Sequence, residues 1–177
     1  SQIIQHDTVV SVKPEPYFIV DLPMCEKSGS TIYKCFEKYC EGEKLEGENG
    51  WFNEKSKKIE NAEKRIMFWS LPKVLVIDLK RFRPDGRKIQ VPIDIEVDEL
   101  DLSDFVEGYE NKDCKYELYG VCNHSGGTLG GHYTATVRTK TISKNEWHLF
   151  NDTNVSKVNF DGKNNTSGYC LFYRKKN

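Results

Sequence analysis

The chain has 177 residues, which fits one domain or a large piece of one and is long enough to bury a core. Its 26 basic and 27 acidic side chains leave a formal net charge of −1, so no global field favours nucleic acid or a membrane surface. No apolar run approaches the roughly 20 residues that cross a bilayer, and no signal-peptide pattern opens the sequence. Six cysteines are scattered without a Cys-x-x-Cys pair, which favours reduced thiols. We therefore expect a soluble protein of the cytoplasm, the nucleus or both, without a membrane span and without nucleic acid as a partner.

The first 65 residues begin with strand patterns. Thr8–Val12 and residues 17–22 read as strands, separated by two prolines. Residues 28–30 offer a helix N-cap, and apolar side chains from Ile32 onward recur at steps of three and four. The spacing predicts a helix that ends near Gly42.

Residues 41–65 are heavily charged, and three glycines interrupt them. This composition is typical of a solvated, extended arm. Trp51 and Phe52 are the apolar exceptions, so they either anchor the arm or contact a partner.

The strongest signal for an interior strand lies in residues 74–82, where four aliphatic residues are followed by alternating polar and apolar residues. Residues 83–86 (Arg-Pro-Asp-Gly) predict a turn. Residues 91–97 predict an interrupted, edge-type strand, and residues 100–106 a short packed helix or turn. No internal repeat and no domain boundary is visible.

A second group of strands surrounds a glycine-rich stretch. Residues 116–122 predict a strand that enters a pliable loop at 123–131, which contains four glycines. Residues 132–138 and 146–151 predict the two strands of a hairpin, and residues 169–173 a last strand.

The hairpin places two polar side chains near each other. If the loop at 139–145 is symmetric, residue 138 faces 145, residue 134 faces 149, and His132 faces Asn151. Opposite residues on one face of an antiparallel pair have Cβ atoms about 5 Å apart. An asparagine there could orient a histidine base, as in a Cys-His-Asn or Ser-His-Asp triad. The alternative is that both are ordinary surface polar residues.

Taken together, these segments resemble the C-terminal part of the ubiquitin-specific protease catalytic domain, a papain-like cysteine protease. The matching blocks follow the family's order and spacing. They are residues 71–82, 116–121, 123–126, 130–135, 147–152 and 169–173. The resemblance implies an α+β fold, mostly antiparallel sheet with few helices, made of a fingers region at about 1–65 and a palm at about 66–177.

The resemblance also implies roles for individual residues. His132 falls on the catalytic histidine, Asn151 on the third triad member, and Asp152 on the neighbouring acid. Residues 123–131 look like the mobile loop beside the channel for the ubiquitin tail. The implied substrate-binding residues are Ser125, Gly126, Gly130, Gly131 and Tyr133.

This sequence departs from the family in two places. Where many members hold a zinc ion with two Cys-x-x-Cys pairs, this chain carries Ile4, Gln5, Asp7 and Thr8, and then Asn53 and Ser56. These are unsuited to structural zinc, so we expect no metal and no cofactor.

The second departure is the nucleophile, which in the family lies in an N-terminal thumb lobe. Cys35 and Cys40 are predicted within a helix and Cys170 within an apolar strand, whereas the chemistry needs a cysteine at a helix N-terminus. Cys25 comes nearest, but the resemblance places it on the fingers side. We expect the thumb lobe to be missing from this chain and the catalytic cysteine to come from that segment.

The leading hypothesis is a thiol-dependent deubiquitinase that cleaves after the C-terminal glycine of ubiquitin, with ubiquitin or ubiquitin conjugates as its partners. The alternative is a non-catalytic ubiquitin-binding module with a protease-like fold. A protease for another ubiquitin-like modifier is a third possibility.

Overall fold

The structure is a computed structural model that describes residues 1–26, 29–108, 114–140 and 145–176. Most of these residues lie in strands, and the α-helix of the described part is α1 (Ile32–Cys40). Short 3-10 turns occur at Gly47–Asn49 and Ser103–Phe105. The strands are β1 (Gln2–Gln5), β2 (Thr8–Val12), β3 (Val20–Pro23), β4 (Ser30–Thr31), β5 (Glu43–Leu45), β6 (Trp51–Asn53), β7 (Lys58–Glu60), β8 (Ala62–Arg65), β9 (Val74–Lys80), β10 (Ile93–Asp94), β11 (Leu100–Asp101), β12 (Lys115–Gly127), β13 (Gly130–Lys140), β14 (Asn145–Asn151), β15 (Asn154–Val158) and β16 (Gly168–Lys175).

The large sheet has the strand order β15-β14-β13-β12-β16-β9-β3, with β11 paired to β12. All of these pairs are antiparallel except β3 with β9. On β9, Leu75, Ile77 and Leu79 point into the core, and the residues between them are less buried. The prediction of an interior strand here is confirmed, as is that of a mostly antiparallel sheet with few helices.

Helix α1 packs its apolar face on this sheet. Ile32, Cys35 and Phe36 are fully buried, which matches the predicted three- and four-residue spacing. The N-cap is Thr31, whose Oγ1 accepts a hydrogen bond from the Lys34 N–H at 3.3 Å. The prediction of a cap within residues 28–30 was wrong by one position, and Ser28 lies outside the described residues.

Residues 41–65 are solvated, as predicted, since none of them is buried, but they are folded into paired strands and are not a separate arm. These residues form β5, β6, β7 and β8, in a four-stranded sheet of order β2-β1-β8-β5 and a separate β6–β7 hairpin. Opposite charges make this possible, because Glu43 faces Lys64 and Lys44 faces Glu63 across β5 and β8. The charged composition thus reflects cross-strand pairing on a solvated sheet.

The two apolar residues of this segment lie on the β6–β7 hairpin. Trp51 is opposite Glu60 and partly buried, whereas Phe52 is opposite Ile59, and both members of the second pair are exposed. Trp51 is therefore partly covered, and Phe52 faces solvent.

Several other elements differ from their predicted bounds. The strand expected at 17–22 is β3 at Val20–Pro23, and the strand expected at 91–97 shortens to β10. The segment at 100–106 contains β11 and a 3-10 turn. The turn at 83–86 is confirmed by a 2.9 Å hydrogen bond from the Gly86 N–H to the Arg83 carbonyl oxygen.

Arg81, at the end of β9, is fully buried and has no carboxylate partner among the described residues. Its guanidinium donates to the carbonyl oxygens of Gly168 (2.6 Å), Asn165 (3.0 Å), Ile89 (3.1 Å) and Val91 (3.2 Å). Burial lowers the pKa of Arg81 to about 10. The side chain therefore fastens two loops against the large sheet beside the glycine-rich hairpin.

No helix among the described residues combines the length and the apolar character that spanning a membrane requires.

Candidate active site

His132 and Asn151 form a direct hydrogen bond at one end of the large sheet. The distance from His132 Nε2 to Asn151 Oδ1 is 2.6 Å, and the imidazole is about half exposed. Because an amide oxygen only accepts, Nε2 carries the proton and donates it. The lone pair then lies on Nδ1, which is the nitrogen available to act as a base. The predicted pairing of a histidine with an orienting asparagine is present.

The strand register that brings these side chains together differs from the prediction. The structure pairs Ala135 with Phe150 and Lys140 with Asn145, so the predicted facing positions were wrong by two residues. A shift of two keeps every side chain on its face, because the strand period is two. Asn151 is therefore a diagonal neighbour of His132, within reach of a long side chain. Residues 141–144 of the predicted loop lie outside the described residues.

Asp152 lies just beyond this pair, in the turn between β14 and β15. Its backbone is left-handed, with φ of 52°, a conformation that aspartate adopts more readily than most residues. Its Oδ2 is 3.8 Å from His132 Nε2, and the side chain is 76% exposed. At that distance and exposure the carboxylate offers a weak, screened attraction to a protonated imidazole and does not replace the Asn151 bond.

The glycine-rich stretch is an extended hairpin, so the predicted loop at 123–131 was wrong. Strand β12 continues to Gly127, β13 starts at Gly130, and the register is regular from Gly120 with Val137 to Gly127 with Gly130. Backbone ladder bonds hold the segment, which is why its glycine content did not produce a loop. The turn at its tip is fastened by Thr128 Oγ1, which donates to the Gly86 carbonyl oxygen at 3.2 Å.

Two of the predicted substrate-binding glycines are required by close packing. A Cβ on Gly131 would lie 2.3 Å from His124 Nε2 and 2.5 Å from the Ser125 carbonyl oxygen. A Cβ on Gly126 would lie 2.6 Å from the Gly130 carbonyl oxygen, and Gly126 has φ of +100°. Neither position has room for a side chain.

The other predicted substrate-binding residues lie on the same hairpin. Ser125 is opposite His132 and its Oγ donates to the His132 carbonyl oxygen at 3.3 Å. Tyr133 is about half exposed and is opposite His124, with ring centroids 4.7 Å apart. A cavity of about 340 Å³ lies beside them. It is lined by Phe82, His124, Gly127, Thr128, Gly130, Gly131 and Tyr133.

Sequence reasoning gave no separate role to His124, which lines this cavity. It is buried, and Lys88 Nζ lies 3.2 Å from its Nδ1. Burial and then the Lys88 charge lower the pKa of His124, so it is neutral at pH 7. The Lys88 ammonium donates to Nδ1, which leaves the proton on Nε2. No regular alternation in the sequence signals it, because Gly120 and Val121 are both buried, as are Asn123 and His124.

The middle of β13 is fixed by a buried polar contact. Asn123 Nδ2 donates to Thr136 Oγ1 at 2.9 Å, and Ser167 Oγ donates to Asn123 Oδ1 at 3.2 Å. These bonds join β12, β13 and the segment before β16. They hold the strand that carries His132 in a defined position.

Four of the six cysteines lack the features of an activated thiol. Burial raises the pKa of Cys35, Cys40 and Cys170 to about 11, and it also raises the pKa of Cys122. A raised pKa keeps these groups as neutral thiols, whereas the nucleophile of a cysteine protease is a thiolate. Cys35 and Cys40 lie within α1, as predicted.

The positions at which zinc ligands would be expected form a different structure. Gln5 Nε2, Asn53 Nδ2 and Ser56 Oγ converge on the carboxylate of Glu60, at 3.0, 2.9 and 2.5 Å. The bonds from Asn53, Ser56 and Gln5 lower the pKa of Glu60 to about 2. Two amides and a hydroxyl around one carboxylate do not fit the thiolate and imidazole donor set of structural zinc.

Comparisons with known proteins identify the family of the chain. The family model described as ubiquitin carboxyl-terminal hydrolase matches residues 23–173. The chain therefore belongs to the ubiquitin carboxyl-terminal hydrolase family and is a ubiquitin-specific protease family member.

Individual relatives are similar over most of this chain. Ubiquitin carboxyl-terminal hydrolase 9 of Arabidopsis thaliana is 37% identical over 171 residues, which cover 89% of this chain and 19% of that protein. Ubiquitin carboxyl-terminal hydrolase 15 of Homo sapiens is 38% identical over 144 residues, which cover 80% of this chain and 14% of that protein. The chain thus spans less than one fifth of the length of these relatives.

Proposed function

We propose that this chain is the histidine- and asparagine-bearing part of a cysteine-type deubiquitinase that hydrolyses the bond after the C-terminal glycine of ubiquitin. The observation that carries the proposal is the 2.6 Å hydrogen bond from His132 Nε2 to Asn151 Oδ1, which leaves Nδ1 as a free base. Membership of the ubiquitin carboxyl-terminal hydrolase family supports the substrate.

In the proposed reaction, His132 Nδ1 takes the proton of a cysteine thiol, and the thiolate attacks the carbonyl carbon of the terminal glycine. The tetrahedral intermediate collapses to a thioester as the imidazolium gives its proton to the leaving amine. Water then attacks the thioester while His132 accepts a proton from it. The proton returns to the departing thiolate, which releases ubiquitin and restores the thiol.

Asn151 and Asp152 have different roles in this scheme. Asn151 holds the imidazole in the tautomer and orientation that keep Nδ1 directed at the reacting atoms. Asp152, 3.8 Å away and exposed, adds a weak attraction to the imidazolium.

The glycine hairpin supplies the approach for the substrate. Gly126, Gly130 and Gly131 present backbone where no side chain projects, so an extended Gly-Gly tail could lie alongside it. We assign substrate contacts to these glycines together with Ser125 and Tyr133.

The catalytic cysteine is proposed to come from a thumb segment outside this chain, which would complete a papain-like fold with the fingers at about 1–65 and the palm at about 66–177. An apolar groove of about 790 Å³ supports such a partner lobe. Its lining includes Tyr17, Tyr39, Phe68 and Trp69, and the Trp69 side chain is exposed. The free thiols of all six cysteines support a reducing compartment, the cytoplasm or the nucleus.

The test is turnover of a fluorogenic substrate made from the ubiquitin C-terminus by the complete protein, with and without His132→Ala. The proposal predicts that His132→Ala abolishes turnover. His148→Ala serves as a control and should leave activity largely intact, since His148 lies opposite Val137 and its Nδ1 contacts Thr139 Oγ1 at 3.2 Å. Turnover retained by His132→Ala would overturn the assignment.

A non-catalytic ubiquitin-binding module is the second candidate. The raised pKa values of Cys35, Cys40 and Cys170 favour it, because the chain offers none of these as a thiolate. Ubiquitin affinity without any turnover by the complete protein would support the module over the enzyme.

A further inference from the structure

Two partly exposed cysteines face each other across neighbouring strands of the large sheet. Cys122 on β12 is directly opposite Cys170 on β16, and both are free thiols. Opposite residues of an antiparallel pair project to the same face, with Cβ atoms about 5 Å apart and Cα atoms about 4.5–5.5 Å apart. That Cα spacing lies within the range that a disulfide bridges, and the Cβ atoms need to approach by about 1 Å.

The remaining cysteines are placed differently. Cys35, Cys40 and Cys114 are buried in the core. Cys25 is partly exposed and its thiol interacts with that of Cys35, which is fully buried in α1. A dissolved oxidant can therefore reach both members of the Cys122–Cys170 pair, but only one member of the Cys25–Cys35 pair.

We propose that Cys122 and Cys170 form a dithiol site that is oxidised reversibly to a cross-strand disulfide by a small-molecule disulfide such as glutathione disulfide. One cysteine loses its proton, attacks a glutathione sulfur and breaks the glutathione S–S bond, which releases one glutathione. The second cysteine then attacks the mixed disulfide and releases the other glutathione. The two cysteines are oxidised, and glutathione disulfide is reduced to two thiols that take up the two protons.

The surroundings of the pair make this oxidation slow at neutral pH. Asp78 on β9 is opposite Cys170, and its buried Oδ1 has no hydrogen-bond partner in the described part of the chain. Burial and then the negative charge of Asp78 raise the pKa of Cys170 to about 11, and burial raises that of Cys122. Since the thiolate is the reacting form, the dithiol persists under reducing conditions and reacts faster as the pH rises.

Closing the bond would stabilise the site region and needs only a small approach of the two strands. Strands β12 and β16 are already paired through seven register positions, so the disulfide joins elements that are already neighbours. The closed loop between the two cysteines contains His132 and Asn151. A cross-link over a loop of this size restricts the unfolded chain, which predicts a higher melting temperature for the oxidised protein.

The test is incubation of the purified protein with glutathione disulfide at about pH 8, followed by intact mass measurement and peptide mapping without reduction. The proposal predicts a mass loss of two hydrogens, a linked pair of peptides containing Cys122 and Cys170, a melting temperature raised by several degrees, and reversal by dithiothreitol. An unchanged mass, a lasting glutathione adduct, or a Cys25–Cys35 link in place of the predicted one would overturn the proposal.

Variants separate the pair from the other thiols. Cys122→Ser and Cys170→Ser should each prevent the linkage, whereas Cys25→Ser, which also removes a partly exposed cysteine, should leave it unchanged. Asp78→Asn should speed the oxidation severalfold at fixed pH, because it removes the charge beside Cys170. Equal rates for Asp78→Asn and the wild type would overturn the role given to Asp78. This inference does not depend on the proposed deubiquitinase activity.

Discussion

Replacement of Asn151 by alanine removes the hydrogen bond that orients the proposed base. The bond is 2.6 Å long and joins a half-exposed imidazole to an amide oxygen. A hydrogen bond of this kind contributes about 1 kcal/mol net, which alone corresponds to about a fivefold change in kcat. Loss of control over the tautomer and the ring orientation adds to this loss of activity, whereas a water molecule can partly replace the Asn151 oxygen as acceptor. We therefore expect Asn151→Ala to lower kcat by about 10- to 100-fold with little change in KM.

The assay is steady-state cleavage of the fluorogenic ubiquitin substrate by the complete protein. Asn151→Asp keeps an acceptor oxygen at the same place and should retain most of the activity. Asn154→Ala is the matched control, because Asn154 is the register partner of Asn151 in the same hairpin and should tolerate the change. A wild-type kcat for Asn151→Ala, in a protein that His132→Ala inactivates, would refute the orienting role.

Three further predictions concern packing, burial and charge. Gly131→Ala should lower kcat/KM at least tenfold and reduce the melting temperature by several degrees, because the new Cβ would lie 2.3 Å from His124 Nε2. Arg81→Met should destabilise the protein to urea by about 3 kcal/mol or more, because four carbonyl oxygens lose their donor. For Glu60, the folded pKa of about 2 lies below the ordinary value of 4.5, so its stabilising effect is present above pH 4.5 and lost as the pH falls towards 2. The melting temperature of Glu60→Gln should therefore fall less than that of the wild type as the pH is lowered from 5 to 2, as measured by thermal melts.

Each of these changes has a control in the same part of the molecule. Gly127→Ala should be tolerated, since no atom lies within 4 Å of its Cβ position. Arg87→Met removes an exposed guanidinium and should cost less than about 0.5 kcal/mol. Glu54→Gln, an exposed position in the same hairpin as Glu60, should leave the acid profile as in the wild type. Effects of equal size in a variant and its control would contradict the reasoning for that site.

The sequence was most informative where one face of an element is fully buried. Strand β9 and helix α1 were predicted because Leu75, Ile77 and Leu79, and then Ile32 and Phe36, repeat with the period of their element. A buried face requires apolar residues at the period of the element, so the pattern can be read from the sequence.

The sequence was least informative where backbone pairing or polar contacts decide the structure. Apart from Leu129, residues 123–131 are glycines and polar residues, yet ladder bonds between β12 and β13 keep them extended. Strand β15 was missed because its residues are mostly exposed and carry no strong apolar signal. The β13–β14 register was predicted two residues out because loop length alone does not specify it.

The candidate site was partly predictable for the same reasons. His132 and Asn151 were paired from an approximate register, and the match survived because an even shift preserves the face. The contact of Lys88 with His124 links residues 36 positions apart, and no local sequence pattern predicts it.

The central claim is that His132 serves as the base for a cysteine that attacks the carbonyl carbon of the C-terminal glycine of ubiquitin. The most direct measurement is reaction of the complete protein with ubiquitin that carries an electrophile at its C-terminus, followed by mapping of the modified residue. We expect covalent capture on one cysteine outside residues 1–177 and severely slowed capture in His132→Ala. Capture on a cysteine of this chain, or capture at the wild-type rate without His132, would contradict it.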